Sequence, residues 1–107
     1  MIQLREYIDG AGRNHFGIWR AKLDPTTRAR IDVALDRLER GNTSAMKSVG
    51  AGVGELRLNF GPGYRVYCCM DGETLVILLA GGIKQRQQAD IAVAKMLWKQ
   101  YQQAKRS

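Results

Sequence analysis

The sequence predicts a single α+β domain: a small antiparallel or mixed sheet packed by helices, in the order strand, helix, helix, three meandering strands, helix. Three observations predict it. A chain of 107 residues is too short to divide into separate cores, so residues 1–107 form one domain. Apolar residues alternate with period two over Ile2–Ile8, Glu55–Phe60 and Tyr64–Met70, the mark of strands. Between and after these stretches they recur at three- and four-residue spacing, the mark of amphipathic helices.

The first strand places Ile2, Leu4 and Ile8 on one side and Gln3, Arg5 and Tyr7 on the other, and Gly10-Ala11-Gly12 ends it. Phe16, Trp19 and Leu23 then form a helical stripe. Asp24-Pro25 closes that helix and opens the next, because Asp caps an N-terminus and Pro suits the first helical position. Ile31, Ala34, Leu35 and Leu38 give the second helix its buried face, and Gly41-Asn42 supplies its stop. Residues 42–54 are rich in Gly, Ser, Thr and Ala with little periodicity, which reads as a mobile loop around Lys47. Two strands follow, joined by Gly61-Pro62-Gly63 and closed by Asp71-Gly72, and Leu75–Ala80 is apolar on both parities, as expected for a central strand of a covered sheet. Gly81-Gly82 ends it, and a last helix from about Gln87 to Gln103 carries Ile91, Ala94, Trp98 and Tyr101 on one stripe. With the helices on one face of the sheet, the other face would present Arg57, Asn59, Arg65 and Tyr67.

Composition narrows the function. Apolar residues make up 45% and charged residues 25%, ordinary for a folded domain and unlike a disordered tail. The longest apolar run, Leu75–Ala80, is far below the roughly 20 residues that span a bilayer, and Arg5, Glu6 and Asp9 stand where a signal peptide would be apolar, so no membrane association and a cytoplasmic location are expected. Seventeen Lys and Arg against ten Asp and Glu give +7, a field that attracts polyanions such as nucleic acid, or an acidic protein. The excess is spread along the chain: residues 1–54 hold nine basic and six acidic side chains, and residues 55–107 hold eight and four. Cys68 and Cys69 are adjacent and point to opposite faces of a strand, which precludes an ordinary disulfide between them, and one histidine, His15, leaves no Cys/His set for zinc. No metal and no other cofactor is expected.

The candidate chemistry lies in the hairpin Glu55–Tyr67 and the segment after the last strand. Arg57 and Arg65 are permanently charged forks suited to phosphate and to charge developing on a phosphorane. An ordinary solvated sheet face, with Arg57 paired to Glu55, would give the same spacing. Lys84 and Arg86 sit between a strand end and a helix start, where backbone N–H groups also favour anions; a lysine crowded by arginines can act in proton transfer, or can simply cap the sheet edge. Tyr64 and Tyr67 could stack on bases, although Tyr64 could equally pack beside its own turn. Lys47 and Asn59 complete a prospective RNA-binding set with Tyr64, Tyr67 and Arg86. Phe16, Trp19 and Trp98 fit the core.

Three stretches carry a resemblance: Val53-Gly54-Glu55-Leu56-Arg57, Gly61-Pro62-Gly63-Tyr64-Arg65-Val66-Tyr67, and Leu78 through Ile91 with its Gly-Gly-Ile-Lys-Gln-Arg-Gln-Gln-Ala-Asp-Ile run. Together they resemble the RelE/ParE toxin superfamily, and most nearly its HigB-like branch of phage-derived addiction-module killer proteins. The resemblance implies the toxin of a type II toxin–antitoxin system, neutralised by an antitoxin that in this branch is commonly a helix-turn-helix DNA-binding protein, through which alone it would meet operator DNA. It further implies a ribosome-dependent endoribonuclease that inhibits translation by metal-independent mRNA cleavage, the ribose 2′-OH attacking the adjacent phosphate. Arg57, Arg65 and Lys84 would then be the catalytic set. The histidines of HigB-type sites have no counterpart here, since His15 lies elsewhere. The other reading within the superfamily is a non-enzymatic ParE-like poison of DNA gyrase.

Overall fold

In the computed structural model, which describes residues 1–106, the chain runs β1 (Gln3–Glu6), α1 (His15–Ala21), α2 (Pro25–Glu39), β2 (Lys47–Gly50), β3 (Val53–Leu58), β4 (Tyr64–Asp71), β5 (Leu75–Ile83) and α3 (Gln87–Arg106). The strands form one mixed sheet in the order β1-β5-β4-β3-β2. β1 lies parallel to β5, with Leu4 beside Val76, and every other pairing is antiparallel. The α+β class and the expected order hold, with one added strand.

Local chemistry fixes the helix ends as the sequence indicates. The Asp24 carboxylate accepts from the Thr27 amide and Pro25 opens α2, while at the other end Gly41 at φ 104° lets its N–H reach the Leu38 carbonyl. Asn14 caps α1 by accepting from Gly17 N–H at 2.8 Å.

Gly81-Gly82 does not end the last strand, since β5 runs through both to Ile83, where it pairs with Tyr64. Two larger expectations also fail. The stretch around Lys47 is a strand and not a mobile loop: β2 pairs with β3 through Lys47–Glu55 and Ser48–Gly54, after a turn whose residues Gly50, Ala51 and Gly52 all have positive φ. A four-residue edge strand reading Lys-Ser-Val-Gly has too little apolar alternation to announce itself. The helices also do not share one face. α1 and α2 cover the face carrying Leu56, Leu58, Val66, Cys68, Val76 and Leu78, and α3 covers the other, where Val53, Tyr67, Cys69, Ile77 and Leu79 meet Ala94, Leu97 and Trp98. A stripe such as that of α3 must bury itself against something, and the second face of the sheet is the apolar surface available to it. Cys68 and Cys69 are both free and buried, one in each layer.

α3 is further anchored at its far end. Trp98 stacks on Tyr101 with ring centroids 5.3 Å apart, Tyr7 meets Tyr101 edge-on at 5.8 Å, and the Tyr101 hydroxyl donates to Asp71. On the opposite layer Gly81 admits the Trp19 ring so closely that a Cβ would lie 2.1 Å from it. Among the described residues no helix is long and apolar enough to cross a membrane.

Candidate functional site

β3 and β4 bring their functional side chains together by register. Arg57 stands opposite Arg65, Glu55 opposite Tyr67, and Gly82 of β5 continues the arginine row. All of these lie on the face that α3 covers, and the first turn of α3 closes over them with Gln87 and Asp90. The Asp90 side chain packs directly on Gly82, where a Cβ would clash with its carboxylate.

Glu55 is the centre of the cluster. Its side chain has no exposure, yet it stays ionised because cations and donors surround it. Arg57 Nε donates to Oε1 at 2.6 Å, Gln87 Nε2 donates to Oε2 at 2.9 Å, and Arg65 Nε lies 3.8 Å from Oε2. Burial pushes this carboxyl up, but the bonds from Arg57 and Gln87 and the charges of the two arginines outweigh it and hold the group below the usual carboxylate range. Asp90 shows the opposite balance: burial raises its carboxyl and the charge of Arg86 opposes that only in part. Two carboxyls at one helix end are thus driven in opposite directions.

The two arginines differ in access. Arg57 keeps 51% of its side chain exposed, and its bond to Glu55 uses Nε, which leaves the terminal nitrogens of the fork available to a phosphate. Arg65 is 5% exposed. Its Nε and Nη1, together with the Tyr67 hydroxyl and Asp90 Oδ2, are buried with no hydrogen-bond partner among the protein's atoms. Burial and the nearby Glu55 and Asp90 carboxylates also drive the Tyr67 hydroxyl well above its ordinary value, so it remains protonated. The expectation that Arg65 and Tyr67 line an open face is therefore corrected: α3 roofs them. Tyr67, fully enclosed, is not placed to stack on a base.

Of the other residues singled out in the sequence, Lys84 and Arg86 are exposed in the short 3-10 turn Lys84–Arg86 that leads into α3, at the same end of the sheet as Arg57. The Lys84 amide donates to the Gly63 carbonyl at 2.7 Å, which fixes this turn against the β3–β4 hairpin. Lys47 is exposed on β2 beside Glu55, and Asn59 is exposed just past the end of β3. Tyr64 points to the other layer, where its ring lies 5.1 Å from Phe60; it packs beside its own turn. His15 is tied to Asp9 at 3.1 Å, away from the cluster. Glu55, Gln87 and Asp90 were not singled out as site residues. The parity that puts Glu55 in the same row as Arg57 was the available signal, and only the covering helix gives it meaning. Among the described residues no group of three or more His, Cys, Asp or Glu comes together as a metal site.

Comparison with known proteins adds the following. The model of a family described as "Phage derived protein Gp49-like" matches residues 19–99. A protein of Haemophilus influenzae described as "Uncharacterized protein" is 45% identical over 83 residues, which cover 77% of this chain and 84% of that protein. No solved structure matches.

Proposed function

We infer, because this chain belongs to the Gp49-like family of phage-derived proteins, a family of RelE-like toxins in toxin–antitoxin systems, that it is the toxin of a type II pair and acts as a ribosome-dependent mRNA endonuclease. The observation that carries the reading is the half-exposed Arg57 fork, held at Nε by a buried carboxylate and backed by a second, buried arginine. In the proposed reaction the ribose 2′-OH loses its proton and attacks the adjacent phosphorus, the bond to the 5′-oxygen of the next nucleotide breaks, and that oxygen takes up a proton. A 2′,3′-cyclic phosphate and a 5′-hydroxyl result. Arg57 would hold the non-bridging oxygens as charge grows on them, and Arg65, some way behind, would add a field from a dry site where charge is weakly screened. Lys84 is assigned the proton-transfer role, and Lys47, Asn59 and Arg86 flank the path of the RNA. The partners in this reading are the ribosome with its mRNA in the cytoplasm, and an antitoxin, of helix-turn-helix type if the HigB-like branch is the right one, that tethers the pair to operator DNA.

A gyrase poison of ParE type is the second reading. It is favoured by the roofing of Arg65 and Tyr67, which leaves two of the three proposed catalytic residues, Arg57 and Lys84, at the surface. Brief induction followed by mapping of mRNA 5′ ends separates the two. Cuts phased to the reading frame are expected, reduced roughly 10²–10³-fold by Arg57→Ala and strongly by Arg65→Ala and Lys84→Ala, with circular dichroism unchanged. Variants that all remain toxic while gyrase-dependent DNA breaks accumulate would replace the nuclease with the poison.

A further inference from the structure

Two nitrogen donors of α3 press on the turn between β2 and β3. Lys95 and Trp98 lie three residues apart, on one side of the helix. A Cβ on Gly50 would lie 3.2 Å from Lys95 Nζ, and one on Gly52 would lie 3.1 Å from Trp98 Nε1. The two glycines thus admit an ammonium and an indole N–H to the places where side chains would stand. The amides of Ala51 and Gly52 are further donors, since both residues are exposed and lie beyond the last ladder pair, Gly50 with Val53.

The cluster lacks an acceptor. Trp98 is only 9% exposed, and its indole nitrogen makes no hydrogen bond to any described residue. Lys95 is half-buried over the turn and has no carboxylate partner among the described residues, although a lysine withdrawn from water is ordinarily paired. Ammonium and indole N–H can only donate. Donors therefore come from the helix and from the turn, and no acid answers them.

We propose that Lys95, the Trp98 indole N–H and the Ala51–Gly52 amides bind a tetrahedral oxyanion, a backbone phosphate of single-stranded RNA. Donors from two elements suit oxygens spread in three directions better than the two coplanar oxygens of a carboxylate. The neighbouring cations name the source. Lys47 precedes Gly50 by three residues, about 10 Å of strand, and stands opposite Glu55, which holds Arg57. A line of positive charge accordingly leads from Arg57 through Lys47 to the turn. The proposal rests on the nuclease reading in naming RNA, and it holds the strand a few nucleotides from the bond that is cut.

The indole N–H resonances of the full, isotope-labelled chain are the readout. The chain has two tryptophans, and Trp19, packed on Gly81 in the other layer, is the internal control. Inorganic phosphate should move the Trp98 resonance saturably and leave that of Trp19 in place, while chloride and acetate at equal ionic strength should move neither. A 2′-deoxy hexanucleotide, which lacks the attacking hydroxyl, should do the same at a concentration roughly tenfold lower or less, because Lys47 and Arg57 take adjoining phosphates. Lys95→Gln should weaken both ligands roughly fivefold or more and flatten the salt dependence of the hexanucleotide by about one phosphate contact, and Lys95→Arg should retain binding. Lys99→Gln removes an equal charge one turn further on and should matter much less. Circular dichroism checks that each variant keeps its fold.

A silent Trp98 resonance, a shift shared equally by Trp19, or an equal loss in Lys99→Gln and Lys95→Gln overturns the site. Acetate acting as well as phosphate makes the ligand a carboxylate, and a response to phosphate that the hexanucleotide never produces makes it a free ion; either overturns the assignment to RNA. A chain whose Trp98 answers the hexanucleotide but which never cuts mRNA upholds the site and removes the nuclease. A chain that cuts mRNA while Trp98 stays silent does the reverse.

Discussion

Glu55 carries the consequences at the scale of single residues, because one buried carboxylate pairs with two guanidinium groups and holds one of them by its Nε. Glu55→Gln leaves Arg65 enclosed without a counter-charge, a change that typically costs about 3–5 kcal/mol. Adding Arg65→Gln removes the orphaned charge, so the double variant should unfold at higher urea than Glu55→Gln alone. Equal midpoints would mean that the pair is not coupled. Asp90 behaves oppositely with pH. A carboxyl whose folded pKa is depressed, as in Glu55, contributes stability above about 4.5 that is lost as pH falls; one whose folded pKa is raised contributes stability at acid pH that is lost as pH rises from 3.8 through its folded value. Asp90→Asn should therefore raise Tm at pH 7 and leave it unchanged near pH 3. A lower Tm at pH 7 would show that the favourable placement of a negative charge in the first turn of α3 outweighs its burial.

Among the elements, α3 does most to shape the site, since it converts a sheet face into a roofed pocket. Leu97, 1% exposed, is its central contact, and Leu97→Ala should cost about 2–5 kcal/mol while loosening the cover over Arg65 and Tyr67. Thermal unfolding gives the first effect. Tyrosine and tryptophan fluorescence quenched more readily by acrylamide gives the second, and unaltered quenching would contradict it. α3 also marks where the sequence was legible. Caps at Asp24 and Gly41, the stripes of all three helices and four of the five strands are readable because each is written in neighbouring residues. The second layer was written too, in Leu75–Ala80, whose apolar character on both parities demands cover on both faces. The arginines of β3 and β4 instead suggest a wet face, because nothing in the spacing of Arg57 and Arg65 says that Glu55 pairs with both while α3 encloses Arg65. β2 was unreadable for a simpler reason: an edge strand is specified by its neighbour and not by its own side chains.

The whole molecule is a three-layer arrangement whose two interiors are separated by one sheet, with a +7 charge distributed over both halves of the chain. Polyanion affinity should accordingly fall with ionic strength without any one segment accounting for it. The strand that divides the interiors also carries a pair of chemical timers. Cys68 and Cys69 are covalent neighbours, yet each reports on a different compartment, and both thiols are pushed to about 12 chiefly by burial. Each thiol becomes an ordinary cysteine once its layer opens, so a difference in alkylation rate measures access. If α3 detaches before the rest unfolds, as the four unpartnered polar atoms around it favour, Cys69 in the Cys68→Ala protein will be modified sooner than Cys68 in the Cys69→Ala protein. Equal rates that follow global stability would instead make the two interiors a single cooperative unit, so that one clock read at two adjacent residues decides whether this small domain opens by halves or all at once.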